Sequence, residues 1–249
     1  MTAATEVGTE VSGIGIGVPE LVSPTGRVTS ETVVRWTEVT VVRALAAVAP
    51  VRVDADVRCA AVAEASLGAG VGRDSFLYVS VGTGISACFV LDGTPWPGAR
   101  GNAIVLGSGI GIGYTEEFGE LSLLPVEQVA SGPALARRYG RARGHDLTRA
   151  EEVLERAERG DAAARDTIRV GARVLGARIA EVVNLLDPDS VIVGGGLGSA
   201  AGPYWDTMHA TVRSLIWADR TRHLPVEQAQ LAASSGMIGA ALLGRAAGR

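Results

Sequence analysis

The sequence predicts an α/β protein. Short β-branched runs alternate with longer amphipathic segments, 33 of the 249 residues are glycine, and only 4% are aromatic. Glycine at this frequency supplies tight turns between strands and helices, and an apolar fraction of 47% is enough for a sizeable core. A chain of this length forms one large domain or two small ones.

The first quarter of the chain predicts strands that alternate with helices. Residues 11–19 are a β-branched run that is dotted with glycine and stopped by proline, which is typical of a buried strand entering a loop. We expect a helix over residues 33–48, a strand over residues 51–56 and an alanine-rich helix over residues 59–67. The strand should deliver Asp54 and Asp56 to its carboxyl end, with both side chains on one face.

The rest of the chain continues the alternation. Residues 76–81 and 87–91 read as strands of a hairpin, with Gly82-Thr83-Gly84 after the first and Asp92-Gly93 after the second. The glycine-rich residues 96–119 show no period that assigns them. Further elements are expected as helices over 126–143, 148–159, 162–186, 204–217 and 235–244, and as a short strand over 190–193 that runs into a glycine loop.

Composition excludes several classes of protein. The formal net charge is −4 and the basic residues are all arginine without a clustered run, so duplex nucleic acid and anionic membranes are unlikely partners. Cys59 and Cys88 form no metal-binding pair, and we expect both to be buried thiols. The first residues lack the pattern of a secretion signal, and no apolar run is long enough to span a bilayer. We therefore expect a soluble, cytoplasmic protein.

Three strand ends carry groups that can do chemistry: the Asp54/Asp56 pair, the Gly82–Gly84 loop and the glycine run that starts at Gly194. Ligands of α/β sheets collect at such ends, where glycine amides can approach phosphate oxygens. Taken alone, each glycine loop is equally compatible with a simple turn. The spacings of a P-loop and of a dinucleotide-binding loop are absent.

The order of these pieces resembles the ROK family of bacterial sugar kinases, repressors and related proteins. Residues 53–56 and Glu64 resemble the family's V-E-N-D-A-N…E segment, and residues 81–85 resemble its second phosphate loop. Three later segments follow in family order: residues 125–134 (C-L-E…SGPA), residues 184–197 (N-L-L-D-P…I-V-L-G-G-G-L) and residues 235–241, the closing helix.

The resemblance implies an actin-like (ribonuclease H-like) fold of two lobes with the active site in a cleft. Residues 1–74 and 236–249 would form a small lobe that carries the catalytic aspartate, and residues 75–235 a large nucleotide-binding lobe. ATP and Mg²⁺ would bind between the loops of residues 82–84 and 194–196, namely Gly82, Thr83, Gly84, Gly194, Gly195 and Gly196. Asp56 matches the base that accepts the proton of the sugar 6-hydroxyl.

Five further positions match segments that hold the sugar in relatives: Asp54, Ala55, Val105, Ser108 and Glu127. Several of them depart from the family pattern. Ala55 replaces an asparagine, and Val105 and Ser108 replace the glutamate and histidine of the A-G-E-I-G-H motif. Residues 115–125 hold no cysteine where the family carries a CxCGxxGC zinc cluster, so we expect no structural zinc. Asp54 and Glu127 are each equally compatible with a local structural role.

A further departure concerns the first phosphate loop, D-x-G-G-T, which precedes the G-I-G-I strand by several dozen residues in relatives. Only twelve residues precede Gly13 here, so we expect an incomplete small lobe with an exposed sheet edge that homodimerisation could cover. A sequence that begins inside a longer protein is the other explanation.

Two functions remain open at this point. One is an ATP-dependent kinase that acts on the 6-hydroxyl of a hexose or a modified hexose, glucokinase-like, and possibly on an amino sugar such as kanosamine. The other is a catalytically inactive, sugar-sensing or degenerate ROK relative. No winged helix precedes the sugar domain, which disfavours a repressor.

Overall fold

The fold is built on a central mixed sheet and a small parallel sheet that flank one helix. It is seen in a computed structural model that describes residues 11–34, 38–115, 120–144 and 146–248. The strands are β1 (Ile14–Val18), β2 (Val51–Ala55), β3 (Ser75–Val81), β4 (Ile85–Leu91), β5 (Thr94–Pro95), β6 (Ile110–Thr115), β7 (Glu120–Pro125), β8 (Ser190–Gly194) and β9 (Val226–Gln228). The helices are α1 (Glu38–Ala46), α2 (Asp56–Leu67), α3 (Glu127–Ala130), α4 (Gly132–Arg143), α5 (Ala150–Glu158), α6 (Ala162–Leu186), α7 (Pro203–Leu215) and α8 (Ser235–Ala247).

The five strands of the central sheet lie in the order β5-β4-β3-β8-β9. Strand β3 pairs antiparallel with β4 and parallel with β8, in a register that sets Ser80 opposite Gly194. Because β3 and β8 run in the same direction, their carboxyl ends lie at one edge of the sheet. The loops that begin at Gly82 and Gly195 therefore start side by side.

The second sheet is small and parallel. Strands β1 and β2 pair so that Gly17 lies opposite Asp54 and Val18 opposite Ala55. Helix α8 packs directly on β1: a Cβ at Gly15 would lie 1.8 Å from the carbonyl oxygen of Ala240. Only glycine allows this approach, which explains the alternating glycines of the strand.

Two buried clusters cover the two faces of the central sheet. Helices α3 to α7 cover one face with an extensive apolar core. The other face, which includes Phe76, Tyr78 and Cys88, packs together with α2 and with residues of β1 and β2. Helix α2 therefore lies between the two sheets, and its inward residues are small: Ala60 and Ala61 are both buried.

Most predicted elements are confirmed, and the bounds of two helices are wrong. Helix α6 has the predicted bounds, and it ends where Asp187 takes a left-handed conformation ahead of Pro188. The helix predicted over residues 126–143 is broken at Ser131, whose hydroxyl accepts from the Ala134 amide and caps α4. Helix α2 begins at Asp56, three residues earlier than predicted, so Asp56 is a helix residue and does not share a strand face with Asp54.

The helix predicted over residues 33–48 is described only as Glu38–Ala46, since residues 35–37 lie outside the described part of the chain. The unassigned glycine-rich stretch holds a short 3₁₀ helix, Leu106–Ser108, and strand β6. Residues 116–119 of the segment that replaces the zinc cluster are likewise outside it. Among the described helices, none is both long and apolar enough to cross a bilayer.

Candidate active site

Asp56 lies at the junction of β2 and α2. It is the first residue of the helix, and its carboxylate Oδ1 accepts from the amide of Val57 at 2.7 Å. The residue is exposed, yet the protein around it desolvates the carboxylate, and this burial raises the pKa of Asp56 although the Val57 hydrogen bond lowers it. A carboxylate with a raised pKa accepts a proton more readily, as a general base requires.

Asp54 has a different environment. Its Oδ1 accepts from the Nε of Arg58 at 2.6 Å and forms an ion pair with Nη2 at 2.5 Å. The same oxygen accepts from the Ala55 amide at 2.7 Å, and Ala55 itself is fully buried. Asp54 is thus engaged with Arg58, and the methyl group of Ala55 does not reach the surface.

The two glycine loops lie against each other at the edge of the central sheet. Gly82 closes the β3–β4 turn through a hydrogen bond from its amide to the Gly84 carbonyl at 3.0 Å. A Cβ on Gly82 would lie 3.7 Å from the Gly196 nitrogen, while Gly195 has φ of +82° and packs on Val81. The phosphate-loop and hairpin-turn interpretations of residues 82–84 are therefore compatible, because one turn can serve both purposes.

A cavity of about 360 Å³ opens beside these loops, within the size range of nucleotide-sized ligand sites. Its lining comes from the two loops, the first turns of α4 and α5 and the start of the segment before α7: Gly82, Thr83, Gly132, Pro133, Thr148, Arg149, Ala150, Glu151, Leu154, Gly196, Leu197 and Ala200. Of the six predicted nucleotide residues, Gly82, Thr83 and Gly196 line it. Gly194 is buried at the end of β8, and Gly84 and Gly195 complete the turns.

Glu127 lies at the start of α3 and faces the turn of residues 82–84. Its Oε2 accepts from the Ile85 amide at 2.7 Å, and a Cβ on Gly84 would lie 2.9 Å from that oxygen. The residue remains exposed, so its carboxylate can both hold the turn and meet a ligand.

Val105 and Ser108 lie in the segment that packs beside the start of β4. The Ile104 carbonyl accepts from the Ala87 amide at 3.1 Å, and a Cβ on Gly107 would lie 2.3 Å from the Ile85 carbonyl oxygen. Val105 and Ser108 are both exposed. The structure thus brings residues 104–108 and the Gly82–Gly84 turn together through the first residue of β4.

Tyr78 connects the Asp56 region with the glycine loop after β8. A Cβ on Gly194 would lie 2.4 Å from its hydroxyl. Burial, then the nearby charge of Glu64 and that of Asp56, raise the pKa of Tyr78 to about 12. Tyr78 belongs to the same buried cluster as Val57, the residue that follows Asp56, so the start of α2 and the loop after β8 border one cluster.

Three charged residues with structural roles escaped prediction from the sequence. The Glu64 carboxylate is fully buried and accepts from the amides of Ala69, Gln230 and Leu231 and from the Ser235 hydroxyl. Glu20 accepts from Ser30 and from three amides of residues 32–34. Arg58 is buried, with three hydrogen bonds to Asp54 and two loop carbonyls and an ion pair with Asp54. Glu20 follows a proline and Glu64 follows the Asp54/Asp56 segment, but nothing in the local sequence indicates the distant groups that donate to them.

The donor set bears on metals as well. Within the described residues, no three His, Cys, Asp or Glu side chains are grouped so that they could hold a metal ion. Magnesium binds most often through substrate phosphates, water and one or two carboxylates, so a nucleotide-borne Mg²⁺ requires no such group. Asp56 and the exposed Glu127 are the predicted site carboxylates whose oxygens could contribute to it.

The fold defines the class. The mixed sheet with helices on both faces is the actin-like, ribonuclease H-like fold of the ROK sugar kinases on which this structure superposes. The sequence model of the ROK family matches residues 1–247. The chain belongs to the ROK family.

Individual relatives agree with this assignment. The chain is 31% identical over 249 residues to kanosamine kinase of Amycolatopsis mediterranei, covering 95% of this chain and 78% of that protein. A ROK hexokinase structure from Thermus thermophilus superposes with a TM-score of 0.81 at 30% identity, over 98% of this chain and 82% of that one. A ROK glucokinase from Streptomyces griseus, solved in complex with glucose and AMPPNP, superposes with a TM-score of 0.82 at 28% identity, over 98% of this chain and 85% of that one.

Proposed function

We propose that this protein is an ATP-dependent kinase that phosphorylates the 6-hydroxyl of a hexose or a modified hexose. The proposal is supported by the exposed Asp56 carboxylate with its raised pKa at the start of α2, and by two adjoining glycine loops that border a nucleotide-sized cavity. Relatives named as kinases of kanosamine, glucose and N-acetylmannosamine support the same class of reaction.

Asp56 would act as general base. Its carboxylate accepts the proton of the sugar hydroxyl while that oxygen attacks the γ-phosphorus, and the bond between the γ-phosphorus and the β,γ-bridging oxygen breaks to release ADP. Transition states of this kind are loose, so the protein contributes mainly position and electrostatic stabilisation. The helix amino terminus under Asp56 also favours the ionised carboxylate in the resting enzyme.

The nucleotide would occupy the cavity beside Gly82, Thr83 and Gly196. Glycine amides and the Thr83 hydroxyl are donors for phosphate oxygens, and the first turns of α4 and α5 add the partial positive charge of helix amino termini. Mg²⁺ bound to the phosphates would neutralise charge on the transferred group. At the other end of the cavity, Leu154 and Ala200 offer an apolar surface for a base.

The sugar would lie between Asp56, Glu127 and the exposed side chains of Val105 and Ser108. Ala55 is buried and offers no hydrogen bond, so recognition differs from that of relatives with asparagine at this position. An amino sugar such as kanosamine suits this site, because an ammonium group would be attracted to Glu127 and to the net negative charge of the protein. We further propose a cytoplasmic protein with a small lobe of residues 1–74 and 236–249 and a large lobe of residues 75–235.

The test is a coupled assay of ADP release with Mg-ATP and a panel of glucose, mannose, N-acetylmannosamine, glucosamine and kanosamine. We expect sugar-dependent ADP release, and a loss of about 10²–10⁴-fold in kcat for Asp56→Asn, since a general base contributes that much. The acid limb of the pH profile should lie above the ordinary pKa of an aspartate, because burial raises the pKa of Asp56.

The catalytically inactive relative is the alternative, and the replacements at Ala55, Val105 and Ser108 favour it. It predicts sugar binding by calorimetry with no ADP release above the rate of Asp56→Asn. Sugar-dependent turnover that the Asp56→Asn variant retains would contradict the base assignment. Asp189→Asn, far along the chain at the opposite end of β8, is a control for general effects of removing a carboxylate.

A further inference from the structure

Arg58 is a buried cation in the first turn of α2, two residues after Asp56. Its side chain is 3% exposed and is ion-paired at 2.5 Å with Asp54, which lies in β2. Nη1 donates to the Gly101 carbonyl at 3.0 Å, and Nη2 donates to the Val22 carbonyl at 2.7 Å. One planar guanidinium therefore contacts Asp54 in β2 and two loop carbonyls that are 36 and 43 residues away in the sequence.

The first of these segments follows β1. Residues 21–29 form a narrow hairpin in which the Thr29 amide donates to the Leu21 carbonyl at 2.7 Å and Val22 forms a bridge with Val28. The hairpin begins three residues after the end of β1, and a Cβ at Gly17 of β1 would lie 3.5 Å from the Cα of Asp56. The hairpin is therefore joined by a short connection to the strand that packs on the Asp56 backbone.

The second segment leads into residues 103–108. Gly101 has φ of +86°, and a Cβ there would lie 1.9 Å from the Val22 carbonyl oxygen, so the two loops touch beside the guanidinium. Val105 and Ser108, the exposed residues at the positions of the family's sugar-binding motif, follow within seven residues. Arg58 thus holds both loops on the helix that carries Asp56.

We propose that Arg58 is a positioning residue for sugar specificity, which sets the distance between Asp56 and residues 103–108. The proposal rests on the proposed kinase function. A short amide side chain such as asparagine at this position could not reach a carboxylate and two distant carbonyls at once. Arginine supplies five N–H donors in a rigid fork, so one side chain can hold both loops in place. The loop residues Val105 and Ser108 themselves offer few polar groups to a ligand.

The test compares Arg58→Asn and Arg58→Lys with the matched control Arg52→Asn, an exposed arginine on the preceding strand. For Arg58→Asn we expect the sugar KM to rise about tenfold or more while the KM for ATP stays within about twofold, because the loops beside the sugar site lose charge-assisted hydrogen bonds and the nucleotide loops do not. Arg58→Lys keeps Asp54 paired but cannot hold both carbonyls, so its sugar KM should be intermediate. Arg52→Asn should match the wild type.

A second readout does not depend on turnover. Amide hydrogen exchange of residues 21–29 and 98–108 should be faster in both Arg58 variants, and unchanged in Arg52→Asn. If Arg58→Asn does not fold, the Arg58→Lys variant decides the matter by the same two measurements. Wild-type exchange and wild-type sugar KM in Arg58→Lys would overturn the proposal, as would equal rises in both KM values. If the wild-type protein shows no kinase activity while the Arg58 variants still exchange faster, the result would support the role of Arg58 in holding the two loops and would refute the proposed function.

Discussion

Asp54 and Asp56 are separated by one residue in the sequence but differ in their hydrogen-bond partners and exposure. Asp54 is ion-paired with a buried arginine, whereas Asp56 accepts one amide hydrogen bond and stays exposed with a raised pKa. The pairing lowers the availability of Asp54 for a ligand, and the desolvation of Asp56 makes it the better base. The assignment of roles therefore follows from environment and not from residue type.

Glu20 is the residue for which the structure predicts a pH-dependent contribution to stability. Burial raises its pKa, but the hydrogen bonds from Ser30 and from the amides of residues 32–34 outweigh this and lower the pKa of Glu20 to about 2 from an ordinary value of 4.5. A carboxylate with a depressed pKa stabilises the fold above pH 4.5, and this contribution is lost as the pH falls towards 2.

We expect Glu20→Gln to lower the free energy of unfolding by about 1–3 kcal/mol at pH 7, because it leaves the amides of residues 32–34 without an ionised acceptor. The difference from the wild type should shrink as the pH falls from 4.5 to about 2. Urea unfolding across this range measures it, and Glu31→Gln at a neighbouring exposed position is the control. A difference that does not depend on pH would contradict the ionised, hydrogen-bonded state of Glu20.

At the scale of elements, helix α2 carries the catalytic candidate at one end and a structural anchor two turns later. Glu64 binds the amide of Ala69, in the connection to β3, and the amides of Gln230 and Leu231, in the connection from β9 to α8. One carboxylate therefore fixes both chain connections between the small sheet and the central sheet. Gly68 is required beside it, since a Cβ there would lie 2.1 Å from Oε2.

Glu64→Gln should lower the free energy of unfolding by about 2–4 kcal/mol, because the amide group of glutamine turns a donor towards N–H groups that then lack an acceptor. The matched control is Glu155→Gln, an exposed helical glutamate for which we expect a change within about 0.5 kcal/mol. Denaturant unfolding at pH 7 compares the two variants. Equal stability of Glu64→Gln and the wild type would show that the four donors are satisfied without the charge.

The bounds of the helices show which elements sequence periodicity can predict. Helix α6 was predicted with its observed bounds, since its apolar spacing is regular and a left-handed residue before proline ends it. The break between α3 and α4 was missed although the sequence carries a signal for it, since Ser131 is a favoured helix cap and Pro133 is tolerated only in the first turn of a helix. Residues 96–119 lacked a period, and their 3₁₀ turn depends on packing against β4.

At the scale of the whole molecule, the central prediction is that ligands of the site stabilise the native state. Mg-ATP at about 100 times its Kd should add about 2.7 kcal/mol. For a chain of about 250 residues this corresponds to a rise in Tm of about 5–10 °C. Differential scanning calorimetry with Mg-ATP and with the preferred sugar measures the shift, and MgCl₂ alone is the control. A Tm that does not move at millimolar nucleotide would contradict the proposed nucleotide site.

The sequence by itself determined the fold class, the ROK resemblance and the residues at the strand ends, because these depend on local periodicity and on motifs of contiguous residues. Only the tertiary structure decided how those residues work. It paired Asp54 with Arg58, buried Ala55 and joined the loops of residues 22 and 101. It also gave Glu64 donors from Ala69 and from Gln230, Leu231 and Ser235. Hydrogen bonds between residues that are tens or hundreds of positions apart leave no local pattern, because the donors are backbone amides and any residue can supply them.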